Sequence, residues 1–187
     1  MPARDVETEI KLRVADARAV RRALGRLGFT LVTRQRERDI VLDTPGARLR
    51  RAGCLLRLRR AGPFWILTYK GVTSADLRYK SRPESETHVD DGKRMLAILG
   101  GLGYRPVFRY EKIRTAFRDQ TKGAVVCLDV TPIGAFLELE GPRRWIDRTA
   151  RALGYEPADY ITSSYGALYL DSCRARGIPP ANMLFRQ

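Results

Sequence analysis

One histidine and three cysteines are the whole stock of imidazole and thiol metal ligands in this chain, and their scarcity excludes a good deal. His88 stands alone, so neither a Ser–His–Asp nor a Cys–His arrangement is evident, and a lone histidine beside a strand reads as structural. Cys54, Cys127 and Cys173 lie far apart with no Cys-x-x-Cys, which suggests neither a zinc site nor a disulfide framework and fits a reducing, cytoplasmic setting. No apolar run approaches the roughly 20 residues of a membrane span. The start, Met1-Pro2-Ala3-Arg4-Asp5, turns polar at once and lacks a signal-peptide core. Acidic residues are also short: 21 against 35 basic ones, a net charge of +14. The expected partner is therefore anionic, whether nucleic acid, a phosphorylated small molecule or an acidic membrane surface.

What is present reads as one globular domain over 1–187, with 177–187 as a surface tail; at 44% apolar and 30% charged the chain is not disordered. Val6 to Val14 alternates oily Val6, Ile10, Leu12 and Val14 with charged Glu7, Glu9, Lys11 and Arg13, the period of a strand. Asp16 caps a helix over 17–27 that Gly28 closes. Strands are expected at 29–42, 54–59, 64–70, 79–89, 107–117, 124–130 and 134–140. Helices are expected over 92–102, 143–153 and 159–176. An internal echo orders these elements. Glu7-x-Glu9, a helix, then Leu27-Gly28-Phe29 recurs as Glu84-x-Glu86, a helix, then Leu102-Gly103-Tyr104, and more briefly as Glu138-x-Glu140, a helix, then Leu153-Gly154-Tyr155. Such repeats with many antiparallel strands suggest a closed or nearly closed sheet with helices packed outside.

Strand residues that break the apolar pattern come largely as i, i+2 pairs, hence on one side of each strand. The acids are Glu7, Glu9, Glu84, Glu86, Asp129, Glu138 and Glu140; the bases are Lys11, Arg13, Arg57, Arg59, Lys70, Arg82, Lys112 and Arg114. One such pair would read as a solvated face. Pairs on most strands favour convergence inside a barrel, where charges must be paired or metal-bound. Clustered carboxylates suit Mg²⁺ or Mn²⁺, and Arg and Lys suit phosphate oxygens.

Glu7-x-Glu9-x-Lys11 resembles the Glu-x-Glu-x-Lys signature of the CYTH superfamily, the triphosphate tunnel metalloenzymes. Leu56-Arg57-Leu58-Arg59, Leu67-Thr68-Tyr69-Lys70-Gly71, Arg82-x-Glu84-x-Glu86, Lys112-x-Arg114, Leu128-Asp129-Val130, Gly134-x-Phe136-x-Glu138-x-Glu140 and Ser164-Tyr165 are similar to that family's motifs and arrive in its order. The resemblance implies an α+β fold, an eight-stranded antiparallel β-barrel open at both ends with helices outside, and a divalent metal. It implies Glu7, Glu9, Asp129, Glu138 and Glu140 as metal-side carboxylates, and Lys11, Arg57, Arg59, Lys70, Arg82, Lys112 and Arg114 as the grip on the phosphate chain. Glu7, Glu9, Lys11 and Lys70 would form the catalytic set, with Glu84 and Glu86 orienting the bases or binding a second metal.

Two chemistries share that scaffold: hydrolysis of the terminal phosphate of an organic or inorganic triphosphate, and class IV cyclisation of ATP to cyclic AMP and pyrophosphate. The order of motifs looks like the cyclase-like branch, yet Met1 to Val6 lacks the His-Phe pair that often precedes Glu-x-Glu-x-Lys there, which favours hydrolysis. ATP, thiamine triphosphate or tripolyphosphate would be the small-molecule partner, to a monomer or homodimer. A non-catalytic polyanion or nucleic-acid-binding module is the rival from another class. It rests on the charge and the runs Arg34-x-Arg36-x-Arg38, Arg48-x-Arg50-Arg51 and Arg57-x-Arg59-Arg60.

Overall fold

A computed structural model describes residues 5–74, 76–121 and 123–186; Met1–Arg4, on which the polar start and the missing His-Phe pair fall, lie outside the described residues. Eight strands, β1 (Asp5–Val14), β2 (Thr30–Asp43), β3 (Leu55–Ala61), β4 (Phe64–Lys70), β5 (Lys80–Val89), β6 (Arg105–Arg118), β7 (Val125–Thr131) and β8 (Gly134–Glu140), close into one antiparallel barrel in the order β1-β5-β4-β3-β2-β6-β7-β8. The alternation read in β1 is what closure requires: Ile10, Leu12 and Val14 face the helices outside, and Glu7, Glu9, Lys11 and Arg13 face in.

Outside, α1 (Ala17–Arg26) and α4 (Arg143–Ala152) bury Leu24, Trp145, Ile146 and Ala150 against Ile10, Leu12, Val126, Leu128, Leu137 and Leu139. On the far side α3 (Gly92–Gly101) lays Leu99 on Ile40, Leu42, Leu56 and Leu58. The echo survives as geometry. Gly28, Gly103 and Gly154 all have positive φ, at 83°, 90° and 85°. The next residue's N–H then reaches back five residues in each copy: Phe29 to the Leu24 carbonyl, Tyr104 to Leu99 and Tyr155 to Ala150. That is the helix-ending bond pattern only a left-handed residue permits.

Two elements depart from the sequence reading. The last helix, expected over 159–176, is α5 (Tyr165–Ala175), preceded by a 3₁₀ turn at Pro157–Asp159. Between them Ile161 exchanges two backbone hydrogen bonds with Lys11, at 2.9 and 2.8 Å, and Ser164 supplies the cap by accepting from the Ala167 N–H. The edge of β1 thus claims Ile161, and the helix begins at the better capping residue. A short helix α2 (Arg48–Arg51) follows the turn after β2. Both carboxylate oxygens of Asp43 accept from its first N–H groups, Leu49 at 2.9 Å and Arg50 at 3.0 Å. After α5 the chain runs along β6, where Met183 pairs with Tyr110 and is buried with Phe136 and Tyr165.

Candidate functional site

Inside the barrel a cavity of about 1350 Å³ is lined from both rims, from Val6, Glu84 and Glu140 at one to Asp43, Arg105 and Tyr169 at the other. Glu7, Glu9, Lys11, Arg57, Arg59, Lys70, Arg82, Glu84, Glu86, Lys112, Arg114, Glu138 and Glu140 all line it, so residues spread over 134 positions of sequence are brought to one hollow. Asp129 sits just behind that lining, fully buried. Arg13 shares the inward face but ends at the rim, exposed, with its guanidinium 4.9 Å from the Phe136 ring centre.

The ionic groups form three neighbourhoods. Around the floor, Asp129 accepts from Lys112 Nζ at 2.9 Å, from Arg114 Nε at 2.8 Å and from the Tyr165 hydroxyl at 2.8 Å. Arg114 also holds Glu138, and Lys11 Nζ stands 3.4 Å from Glu138. The Tyr165 ring lies under both ammonium groups, 5.4 Å from Lys11 Nζ and 5.1 Å from Lys112 Nζ. Burial raises the cost of charge here, yet the Arg114, Lys11 and Lys112 cations hold the Glu138 carboxyl well below its ordinary range.

A second neighbourhood was not anticipated. Glu37 and Asp39 on β2 point inward and are buried, 3% and 1% exposed. Arg59 donates through Nε to Asp39 Oδ1 at 2.8 Å and approaches Glu37 with Nη1 at 3.1 Å. Arg57 Nη2 donates to Thr68 Oγ1 at 3.0 Å, and that hydroxyl donates to Glu86 at 2.9 Å. After these bonds Arg59 Nη2 and Arg82 Nε remain buried without a hydrogen-bond partner. Unmet N–H groups on cavity-lining guanidinium forks fit a ligand rich in acceptor oxygens.

The third neighbourhood is acidic. Lys70 Nζ lies 2.5 Å from both Glu7 and Glu84, and Glu9 takes Lys80 Nζ at 2.8 Å and Lys11 Nζ at 3.1 Å on one oxygen. Lys80, absent from the sequence-derived set, is thus a buried interior base. Burial and the neighbouring Lys11 charge bring its ammonium down to about 8. Burial, a hydrogen bond with Glu7 and the Glu7 charge push Glu84 up to about 7. Burial and the charges of Glu7 and Glu9 push Glu140 up to about 8. Glu7, against its own burial, is held near 2 by Glu84 and Lys70. Carboxyls that burial and neighbouring carboxylates keep from ionising are hard oxygen donors of the kind a small divalent cation neutralises. Among the described residues no three are closed into a ready ligand shell.

The basic runs are divided by the fold. Arg57 and Arg59 face in, whereas Arg60 is exposed and Arg36 and Arg38 pair with Glu111 on the outer face at 2.6 and 3.1 Å. His88 is exposed at the rim, edge-on to Phe64 at 6.0 Å. The three cysteines are free thiols. No helix among the described residues is long and apolar enough to cross a membrane.

Known proteins share this architecture. The CYTH domain model matches residues 5–165. A Methanocaldococcus jannaschii protein named "Putative adenylate cyclase" is 32% identical over 135 residues, 72% of this chain and 76% of the relative. A solved Vibrio parahaemolyticus protein of the same name superposes with a TM-score of 0.78 at 21% identity, over 89% of this chain and 98% of its own. The PH1819 protein of Pyrococcus horikoshii gives 0.75 at 25% identity, over 89% and 99%. A Hippeastrum protein named "Putative adenylyl cyclase" and described as having a dominant triphosphatase activity gives 0.68 at 18% identity, over 89% and 96%.

Proposed function

The chain belongs to the CYTH family, and from that premise we propose that it binds a triphosphate inside the barrel with a divalent cation, Mg²⁺ or Mn²⁺, and hydrolyses the terminal phosphate. The observation that carries this reading is the pairing of opposites along one cavity: guanidinium groups with unmet N–H donors beside carboxyls whose ionisation is disfavoured by burial and by neighbouring carboxylates. A phosphate chain satisfies the first and a divalent cation the second, so the two together relieve what each alone would aggravate.

Phosphoryl transfer asks mainly for positioning and for neutralisation of charge on the phosphate oxygens. Arg57, Arg59, Lys70, Arg82, Lys112 and Arg114 would orient the chain from rigid strands, with Lys80 added to them and Glu37 and Asp39 fixing the angle of Arg59. Glu7, Glu9 and Glu140 are the first candidates to hold the cation, with Glu84 beside them. Asp129 and Glu138, already held by Lys112, Arg114 and Lys11, would join through those partners or through water. When bound, the cation supplies charge neutralisation at the phosphate oxygens and acidifies water. Glu7, Glu9, Lys11 and Lys70 form the catalytic set in this reading, and the free thiols suit a cytoplasmic setting.

A second reaction, cyclisation of ATP with loss of pyrophosphate, is kept by one observation, the name borne by the 32%-identical relative. The test is product identity. The purified chain is incubated with ATP, and separately with tripolyphosphate, plus Mg²⁺ or Mn²⁺. Orthophosphate from either supports hydrolysis, cyclic AMP with pyrophosphate supports cyclisation, and no turnover refutes both. Glu7→Ala should abolish the metal-dependent turnover; activity surviving it would reject the assignment of Glu7.

A further inference from the structure

The barrel wall is spliced from two pieces beside β1. β1 pairs with β5 only as far as Glu9, which stands opposite Lys80, the first residue of β5. At Lys11, on the same edge, the partner is Ile161 instead, through two backbone hydrogen bonds of 2.9 and 2.8 Å. Lys80 and Ile161 thus meet end to end, about 7 Å apart along β1. Inside this seam Lys80 Nζ and Lys11 Nζ share one oxygen of Glu9, at 2.8 and 3.1 Å. Two ammonium groups drawn to one oxygen repel each other, so their spacing depends on how the seam is held. Outside it stands Asp147, in the middle of α4. Its Oδ1 accepts from the Tyr79 hydroxyl at 2.8 Å and the Tyr160 hydroxyl at 3.0 Å, the residues immediately before Lys80 and Ile161. We propose that Asp147 is a positioning residue for the interior site: from outside the barrel it staples the start of β5 to residue 161, and so fixes Lys80 and Lys11 on Glu9. The proposal rests on the reading above that these charges bind a triphosphate.

The staple is held from both sides. α4 is anchored by Trp145 and Ile146, both buried in the core, which fixes where Asp147 stands. Tyr79 is buried in that core and Tyr160 packs against it, their ring centres 6.3 Å apart, so each hydroxyl is the polar tip of an apolar body and takes a partner at that tip. The approach to β5 is ordered by Asp76. Its Oδ1 accepts from the N–H groups of Arg78 and Tyr79 at 2.9 and 3.2 Å, and its Oδ2 meets Arg143 at 2.8 Å. Arg143 and Arg78 lie over the Tyr79 ring at 5.1 and 5.3 Å. Arg78 also donates to Asp147 Oδ2 at 3.0 Å, but its side chain is nearly half exposed and such a pair adds little. The two tyrosine bonds are therefore the ones that couple the segments.

The test measures calorimetric binding of tripolyphosphate with Mg²⁺ to the intact chain and to variants at Asp147. Asp147→Asn keeps an oxygen for both hydroxyls and should bind within about twofold of wild type, whereas Asp147→Ala keeps none and should bind about tenfold more weakly. Tyr79→Phe combined with Tyr160→Phe removes the same two bonds and keeps the packing, so it should show the same loss even where Asp147→Ala folds poorly. In a Lys80→Met background one of the two positioned charges is gone, and Asp147→Ala should then cost no more than about threefold. Equal losses in both backgrounds, a loss in Asp147→Asn as large as in Asp147→Ala, or full-strength binding by the double tyrosine variant overturns the proposal. A wild type that binds no tripolyphosphate refutes the reading above, and the staple is then judged by hydrogen exchange. The amides of Lys11 and Ile161 should exchange about tenfold faster in Asp147→Ala and not in Asp147→Asn; unchanged exchange in both removes it.

Discussion

Arg82 and Arg59 both offer unmet N–H groups to the cavity, but their surroundings make opposite predictions. Arg82 has no acidic partner among the described residues, so Arg82→Met should weaken tripolyphosphate binding about tenfold with stability changed by no more than roughly 0.5 kcal/mol. Arg59→Met takes the nearest cation from the buried Glu37 and Asp39, leaving them Lys112 and Arg57 at 3.5 Å, and should cost about 3 kcal/mol, read as a large fall in the denaturation midpoint. The carboxyls give a pH signature. Glu84 and Glu140 keep their protons in the folded chain up to about 7 and about 8, while the unfolded chain releases them near 4.5. The folded state therefore holds more protons across that interval, and stability without metal should fall as pH rises from about 5 to 8. Mg²⁺ should raise the melting temperature more at pH 8 than at pH 5, and Glu140→Gln should flatten the slope. A pH-independent melt in the wild type would contradict the crowding. The residues that sequence reading passed over have a physical excuse. Glu37 and Asp39 interleave with Arg34, Arg36 and Arg38, so the outward arginines gave the segment the look of a basic run. The parity of Lys80 with Arg82, Glu84 and Glu86 was the signal that could have found it.

At the scale of the element, local chemistry was legible wherever one residue does one job. The strand periods, the Asp16 cap and the three helix-ending glycines follow from side-chain alternation, side-chain capping and backbone sterics. The start of α5 was not legible, because it is decided by a bond from Ile161 to β1 that lies 150 residues away in sequence. The same logic separates two glycines that look alike in the chain. A Cβ on Gly92 would stand 2.0 Å from the Trp65 ring, so Gly92→Ala should destabilise by roughly 1–3 kcal/mol in a denaturant titration. A Cβ on Gly25 in α1 would meet nothing within 4 Å, and Gly25→Ala should stabilise by roughly 0.5–1 kcal/mol. Equal effects at the two sites would contradict the docking of α3 on the barrel.

For the molecule as a whole, the inventory of acids and bases in the barrel nearly cancels, so the net charge of +14 is carried by the outside. The surplus sits on exposed arginines such as Arg18, Arg21, Arg22 and Arg26 on α1 and Arg144, Arg148 and Arg151 on α4. Such a field should speed the capture of polyanions, with association slowing as salt screens it and dissociation from the buried cavity changing less. The account stands on the claim that these interior charges hold a polyphosphate together with its cation. Calorimetric titration of tripolyphosphate into the chain, with and without Mg²⁺, tests that most directly when run beside Arg82→Met. The account predicts one saturable site that depends on the cation and weakens about tenfold in the variant. Binding that ignores both the cation and Arg82, or no saturable binding, would contradict it.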